Sequence, residues 1–337
     1  MVKITDVARR AGVSPSTVSY VLSGKRSISA ATQRRVEESI RELGYRPHAG
    51  ARALASSRSN VLALVMPLRS GIHVPVQMQF AGAVATAARA HDHDVLLLTQ
   101  EEGEDGLRRV ADSALVDALI VMDVQLRDAR TPLLRALPLP SVLIGFPTES
   151  DGLTCIDLDF TATGESCVGH LAQLGHRCVA LLGSPPAVYV RGTGFAQRTA
   201  AGFTTAAHRH GMTSTVLPCE PSRPAARRTV EKLLHDHPGL TGVVVHNEPA
   251  LPLLMEAFQQ AGMRIPQDLS VVAVCPDELA ENAAVPVTSV AIPADEVGER
   301  AVQLLMAKLN GSSVADATLL PPRLTARAST SVCGFPS

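Results

Sequence analysis

The sequence predicts a small all-α helix-turn-helix module followed by an α/β body of two doubly wound parallel-sheet lobes. Three observations carry that prediction. Residues 1–58 hold eleven Lys or Arg against four Asp or Glu, whereas the 337-residue chain sums to −1, leaving −8 on the remaining 279 residues. A helical hydrophobic pattern broken by one glycine opens the chain, and from Asn60 onward short apolar runs alternate with Ala-rich amphipathic stretches. A basic module on an acidic body has the electrostatic footprint of a nucleic-acid partner, because each neutralised phosphate releases counterions. Charge alone leaves a solvated basic tail as the alternative; the residue pattern separates the two.

The first helix carries Ile4, Val7, Ala8 and Ala11 on one face, and Gly12 breaks it. Ser14 is placed to cap the second helix, its hydroxyl accepting from free amides, and Pro15 suits a first helical position that needs no donor. That helix, Pro15 to Leu22, turns Val18, Val21 and Leu22 toward the first. A third, about Ala31 to Leu43, spaces Val36, Ile40 and Leu43 to close a three-helix core. In a helix-turn-helix the second helix enters the major groove with its first residues against base edges. After Arg46 and Pro47, the Ala-rich piece from His48 to Ser57 is too short to hold as an isolated helix in water.

The stretch TDVARRAGVSPSTVSYVLS from Thr5 to Ser23, followed by ELGYRP from Glu42 to Pro47, resembles the start of a LacI/GalR-family transcription regulator. The resemblance runs through nearly the whole chain. It implies a homodimer on a palindromic double-stranded DNA operator, with Pro15, Ser16 and Tyr20 facing bases and Thr17 and Ser19 on phosphates; Thr5 and Ser14 join this set. Ser16 bonds either kind of base edge and Pro15 packs only on a thymine methyl, so no operator sequence follows. For Thr17 and Ser19 the alternative is ordinary capping. The Ala-rich piece resembles the family's hinge helix, ordered only on DNA. There Leu54 would be the apolar wedge in the minor groove and Arg52 would lie near the backbone, favouring a deformable pyrimidine-purine centre. The other reading is a plain linker.

The body repeats one pattern twice: Val61–Met66, a helix near Phe80–Ala90, Val95–Leu98, a helix near Gly106–Ser113 and Ala118–Met122, then Cys178–Leu182, Arg198–His210, Thr215–Leu217, Pro224–His235 and Gly242–His246. Strands alternating with helices make a parallel, doubly wound sheet, and two such lobes place ligands outside the carboxyl ends of their strands. The resemblance implies a type I periplasmic-binding-like body crossing between lobes three times. The expected division is residues 1–46 for DNA binding, 47–59 for the hinge helix and linker, and 60–337 for the effector-binding and dimerisation core. The first lobe takes about 60–157 and 293–320, the second about 160–289 and 323–332.

Second-lobe motifs carry the resemblance further: IDLD at 156–159, HLAQLGHR at 170–177, Gly202-Phe203, His246-Asn247 and GMRIPQDLSVV at 262–272. It implies that Asn247, at a strand end, bonds effector hydroxyls, which must be paired when buried; a turn cap is the alternative. This chain departs from the family pattern elsewhere. The usual effector-binding Arg position is Thr199, with Arg198 one residue earlier and rotated by about 100°. Ala273, Val274 and Cys275 replace the usual Gly, aromatic and Asp, leaving Asp277 as a substitute carboxylate or an exposed turn residue, and Phe146 stands where relatives have a polar group. The Pro/Gly-rich stretch 183–196 offers Tyr189, as a sugar-stacking face or loop brace, and Arg191; the opposite wall, 68–77, offers Arg69, Ser70 and Gln77.

Other function classes find little support. Six cysteines without a pairing pattern read as buried thiols. Three His-Xaa-His pairs, at 91/93, 208/210 and 235/237, read as solvated helix ends rather than metal ligands. There is no nucleophile elbow, phosphate loop or dinucleotide fingerprint, so neither an enzyme nor a cofactor is expected. The apolar run Val61–Leu68 is far below the ~20 residues of a membrane span, which points to a cytoplasmic protein without a membrane partner. That leaves a repressor responding to a small molecule, by default a sugar. The alternatives are a regulator that binds another metabolite or has lost sensing, and, for want of an export signal, less readily a solute-binding protein.

Overall fold

A computed structural model of the chain describes residues 2–23, 26–45, 58–69, 71–101 and 103–334. The N-terminal module consists of α1 (Ile4–Ala11), α2 (Pro15–Ser23) and α3 (Ala30–Leu43). Each boundary has a local cause. The Lys3 amide donates to the Asp6 carboxylate at 2.9 Å, and Gly12 ends α1 in the left-handed region at φ 63°. Ser14 and Ser29 accept from the Thr17 and Thr32 amides at 3.2 and 3.3 Å, capping α2 and α3. Val7, Ala8, Ala11, Val18, Val36 and Tyr45 form the core, and an Arg10–Glu42 ion pair at 2.7 Å ties α1 to α3. Leu22, expected to face inward, is 38% exposed: Val18 is the α2 residue that fills this small core.

The body contains two six-stranded sheets. The first is built from β1 (Val61–Val65), β2 (Asp94–Leu98), β3 (Ala118–Val121), β4 (Ser141–Ile144), β5 (Cys155–Leu158) and β11 (Ala317–Leu320), in the order β2-β1-β3-β4-β5-β11, all parallel. The second uses β6 (Cys178–Gly183), β7 (Thr213–Pro218), β8 (Gly242–Val245), β9 (Ser270–Val274), β10 (Thr288–Val290) and β12 (Leu324–Thr325), in the order β7-β6-β8-β9-β10-β12, with only β12 antiparallel. Central strands such as β3, β4, β8 and β9 are buried at every position, as near-continuous apolar runs in a parallel sheet require. The chain crosses between sheets after Leu158, after Val290 and after Leu320.

Helices cover both faces: α4 (Val74–Arg89), α5 (Glu104–Asp112), α6 (Thr131–Ala136) and α13 (Ala294–Leu309) belong with the first sheet, and α7 (Phe160–Gln173), α8 (Pro186–Val190), α9 (Gly194–Arg209), α10 (Arg223–Asp236), α11 (Leu251–Gln260) and α12 (Asp277–Glu281) with the second. Helix α4 starts at Val74 rather than near Phe80, because Pro75 fits the first turn and lets the helix begin there. In each lobe one helix pair approaches through glycine. A Cβ on Gly202 would collide with the Thr161 carbonyl, one on Gly164 with the Thr199 carbonyl, and one on Gly298 would lie 2.6 Å from the Ala83 Cβ.

Where the linker enters the body, the buried Asp117 carboxylate, just before β3, accepts from the Ser59 amide and hydroxyl at 2.6 and 2.9 Å and from the Asn60 amide at 2.8 Å. His93 is buried beside it, with Nε2 at 3.8 Å, and not solvated as its place in a His-Xaa-His pair predicted. Among the described residues no helix is long and apolar enough to cross a membrane.

Candidate functional site

In both sheets the strand order reverses at the first strand, between β1 and β3 and between β6 and β8. A crevice opens outside the carboxyl ends of strands at such a point, and here the two crevices face each other. They enclose a space of about 870 Å3, part of it open to solvent, between Gln77, Phe80, Met122, Asp123, Ile144 and Asp157 of the first lobe and Phe160, Ser184, Phe195, His246, Asn247 and Glu248 of the second. The rim is joined by backbone: Leu126 N donates to Gly192 O at 2.8 Å, and Gly194 N to Val124 O at 3.0 Å. Phe160 stacks on His246 with ring centroids 5.7 Å apart, and Phe195 meets the same imidazole edge-on at 5.5 Å. This makes an aromatic wall.

The polar groups on this lining are unusual in what they leave open. Asn247, 2% exposed, donates from Nδ2 to the Gly183 and Cys219 carbonyls at 3.0 and 2.8 Å. Those two bonds fix the amide orientation and leave Oδ1 as a buried acceptor with no protein partner. Gln77 Oε1, Asp123 Oδ1, His73 Nδ1 and His246 Nδ1 are in the same position. A buried polar atom left unpaired costs about 1–3 kcal/mol, so five on one cavity are groups that a bound polar molecule would satisfy. Burial sets the protonation states. It pushes Asp157 and Glu248 up to about 7 and His246 down to about 4, and lowers His73.

Of the sequence-predicted effector residues, Asn247 and Gln77 line the cavity, and the other described ones lie outside its lining. Arg69 bonds Asp123 at 2.9 Å and Glu101 at 2.7 Å, and the positive charge of Arg191 acts on the same Asp123 from the second lobe, so both reach the cavity through that carboxylate. Arg198 is half-buried outside the lining, where its charge acts on Asp157; α9 runs without a bulge that would rotate it inward. Thr199 is fully buried, its hydroxyl donating to Phe195 O at 2.9 Å. Strand alternation puts Cys275 on the face of β9 shared by Val271 and Ala273, in the core beneath α10 and α11. Asp277 heads α12 and pairs with Arg327 at 2.8 Å, on a groove behind the crossovers. Tyr189 belongs to the short α8, its hydroxyl buried against Gly183, and Phe146 packs into the first-lobe core. Ser70 lies outside the described residues.

Sequence reasoning missed His73, Asp123, Asp157, Phe195 and Glu248 as cavity residues. Two signals pointed to three of them: Asp157 is a lone carboxylate inside an apolar strand, and Asp123 and Glu248 lie two and three residues past the carboxyl ends of β3 and β8.

On the N-terminal module, Pro15 and Ser16 are exposed at the start of α2, with Tyr20 exposed one turn on from Ser16. The Arg26 guanidinium lies 5.9 Å from the Tyr20 ring centre. Thr5 is exposed on α1, and Ser19 is half-buried. The Thr17 hydroxyl is bonded to the Ser14 hydroxyl at 2.9 Å, so it serves the cap as well as facing outward. Arg52 and Leu54 lie outside the described residues.

Comparison with known proteins places both halves. Residues 3–48 match the family described as bacterial regulatory proteins, lacI family, and residues 168–330 match a periplasmic binding protein-like domain. Over 98% of its length the chain is 30% identical to the HTH-type transcriptional regulator AglR of Rhizobium meliloti (strain 1021), covering 94% of that protein. The chain belongs to the LacI family. It is a DNA-binding transcription regulator and not an enzyme. Another LacI-family relative, catabolite control protein A of Priestia megaterium, is 26% identical, with 98% of this chain and 99% of that protein covered. The LacI-family fold is shared with the lac repressor dimer bound to operator and the anti-inducer ONPF (TM-score 0.81, 24% identity, 98% and 99% covered). The transcriptional regulator CelR in complex with cellobiose shares it too (TM-score 0.69, 24% identity, 98% and 100% covered).

Proposed function

We propose that this regulator is a cytoplasmic repressor that binds a palindromic operator as a homodimer and is controlled by a carbohydrate held between its lobes. The observation that carries the reading is the cavity, where an aromatic wall meets five buried polar atoms without partners. Hydroxyls on a ring satisfy such atoms while the ring's apolar face covers Phe160 and Phe195. A regulator that had lost sensing would pay the cost of these atoms with no return. The relatives crystallised with cellobiose and with ONPF point the same way.

Dimerisation is supported by an apolar face on the first lobe. Leu68, Val74, Met78 and Leu97 are exposed, on the loop after β1, helix α4 and edge strand β2 beside it, while exposed Leu96 points to the other face of that strand. For DNA, the reading takes Pro15, Ser16 and Tyr20 of α2 to the major groove, Thr17 and Ser19 to the phosphates with Thr5 and Ser14 among the contacts, and, through the hinge, Leu54 to the minor groove and Arg52 near the backbone. Effector binding acts through lobe closure, which has to favour one hinge state over the other.

A thermal-shift screen of the full chain against mono- and oligosaccharides, with nucleobases as controls, tests the reading. A ligand at ~100 times Kd adds about 2.7 kcal/mol and raises Tm by a few degrees. A carbohydrate hit that also changes operator affinity is the expected result; a nucleobase hit alone overturns the carbohydrate assignment.

A further inference from the structure

The charge of the cavity wall narrows the ligand further, on the reading that this cavity is the effector site. Its lining among the described residues includes Asp123, Asp157 and Glu248 and contains neither Lys nor Arg. The three carboxyls are not equivalent. Asp123 is neutralised by Arg69 at 2.9 Å, and Asp157 has the positive charge of Arg198 acting on it. Among the described residues no cation acts on Glu248. Burial alone displaces its titration, to about 7, and its own backbone amide is the only group opposing that displacement. The two imidazoles supply no charge, since burial lowers both His73 and His246.

The neighbouring polar atoms have the same bias. Asn247, adjacent in sequence to Glu248, presents its carbonyl oxygen, because both amide hydrogens are spent on Gly183 and Cys219. Across the cavity Gln77 Oε1 and Asp123 Oδ1 are also acceptors without partners. Such a wall repels a phosphate or carboxylate and asks for donors, and a buried carboxylate is stabilised by a cation brought against it.

We propose that the effector is a carbohydrate bearing a basic nitrogen, an amino sugar or aminocyclitol, whose ammonium pairs with Glu248 while its hydroxyls donate to Asn247, Gln77 and Asp123. An ammonium offers three donors and one charge, matching a cavity lined by a carboxyl group and amide oxygens.

Calorimetric titration of the full chain near pH 7 tests this with matched probes: glucosamine, galactosamine and 2-deoxystreptamine against glucose, galactose, N-acetylglucosamine and glucose 6-phosphate. The amines are expected to bind at least about tenfold tighter than their uncharged or acetylated counterparts. Glu248→Gln is expected to erase that difference, and its fold is checked by a melt above pH 7, where relief of the buried charge makes it more stable than the parent. Uncharged sugars or glucose 6-phosphate binding as tightly as the amines overturn the inference and leave the carbohydrate reading standing. A Glu248→Gln variant that keeps the amine preference also overturns it. If no carbohydrate, amine-bearing or not, binds the parent chain, both readings fall.

Discussion

Asp157 shows how one side chain couples the cavity to stability. Burial raises its carboxyl to about 7 from an ordinary 3.8. An acid whose folded value is raised holds its proton more tightly folded than unfolded, so its stabilising contribution is present at low pH and is lost as pH rises from about 4 to about 7. Asp157→Asn removes this dependence and is expected to be more stable than the parent above pH 7, by at most about 4 kcal/mol. Melting curves from pH 5 to 8 check it; parallel pH profiles for the two proteins count against it. His246 runs the other way: lowered to about 4, it contributes stability above its ordinary 6.5 that is lost as pH falls toward 4. Asn247 was readable from its motif and its place at a strand end. His73 and Phe195 were not, although the segments 68–77 and 183–196 that carry them were, because in a loop or the first turn of a helix no periodicity tells which side chain turns inward. Arg198 and Cys275 fall outside it because helix rotation and strand alternation decide which way a side chain points.

The helices of the body are placed by glycines that make close approach possible. Gly202 and Gly164 sit reciprocally in the α7–α9 contact, each against a backbone carbonyl of the other helix. Gly202→Val forces the pair apart and is expected to destabilise the second lobe by about 1–3 kcal/mol or more, since overpacking shifts backbone as well as side chains. Chemical denaturation reads the effect, and an unchanged midpoint would show that the helices part freely. The Gly202-Phe203 motif thus has a packing reason that the residues alone did not disclose. Strand positions were readable because short apolar runs separated by amphipathic stretches admit few other arrangements. Helix starts were less so: Pro75 opens α4 six residues before the apolar pattern becomes obvious, and α8 and α12 are single short turns with no periodicity to find.

The molecule joins a basic reading module to an acidic two-lobe body, and charge together with strand–helix alternation makes that division visible in the amino-acid sequence alone. Its quaternary surface is not visible there, because exposed apolar residues on β2 and α4 look in sequence like any other core-facing residues. Replacing Met78 or Leu97, 47% and 37% exposed, with Arg places charge on that face without disturbing the lobe beneath. Met78→Arg and Leu97→Arg are each expected to shift the protein to monomer in light scattering and to weaken operator binding through lost bivalency. A full-size dimer from both variants would move the interface elsewhere.

Strand β3 joins the two ends of the regulator. At its start Asp117 grips Ser59 and Asn60 through three hydrogen bonds, and two residues past its end Asp123 lines the cavity between the lobes. Between them run the four residues of β3, about 13 Å of extended chain, through the middle of a parallel sheet. Such a strand behaves as a pushrod rather than a spring: it is buried at every position and paired on both sides, so slipping would break its register with β1 and β4. If lobe closure displaces Asp123, a rigid strand is placed to carry that displacement to Ser59 and Asn60.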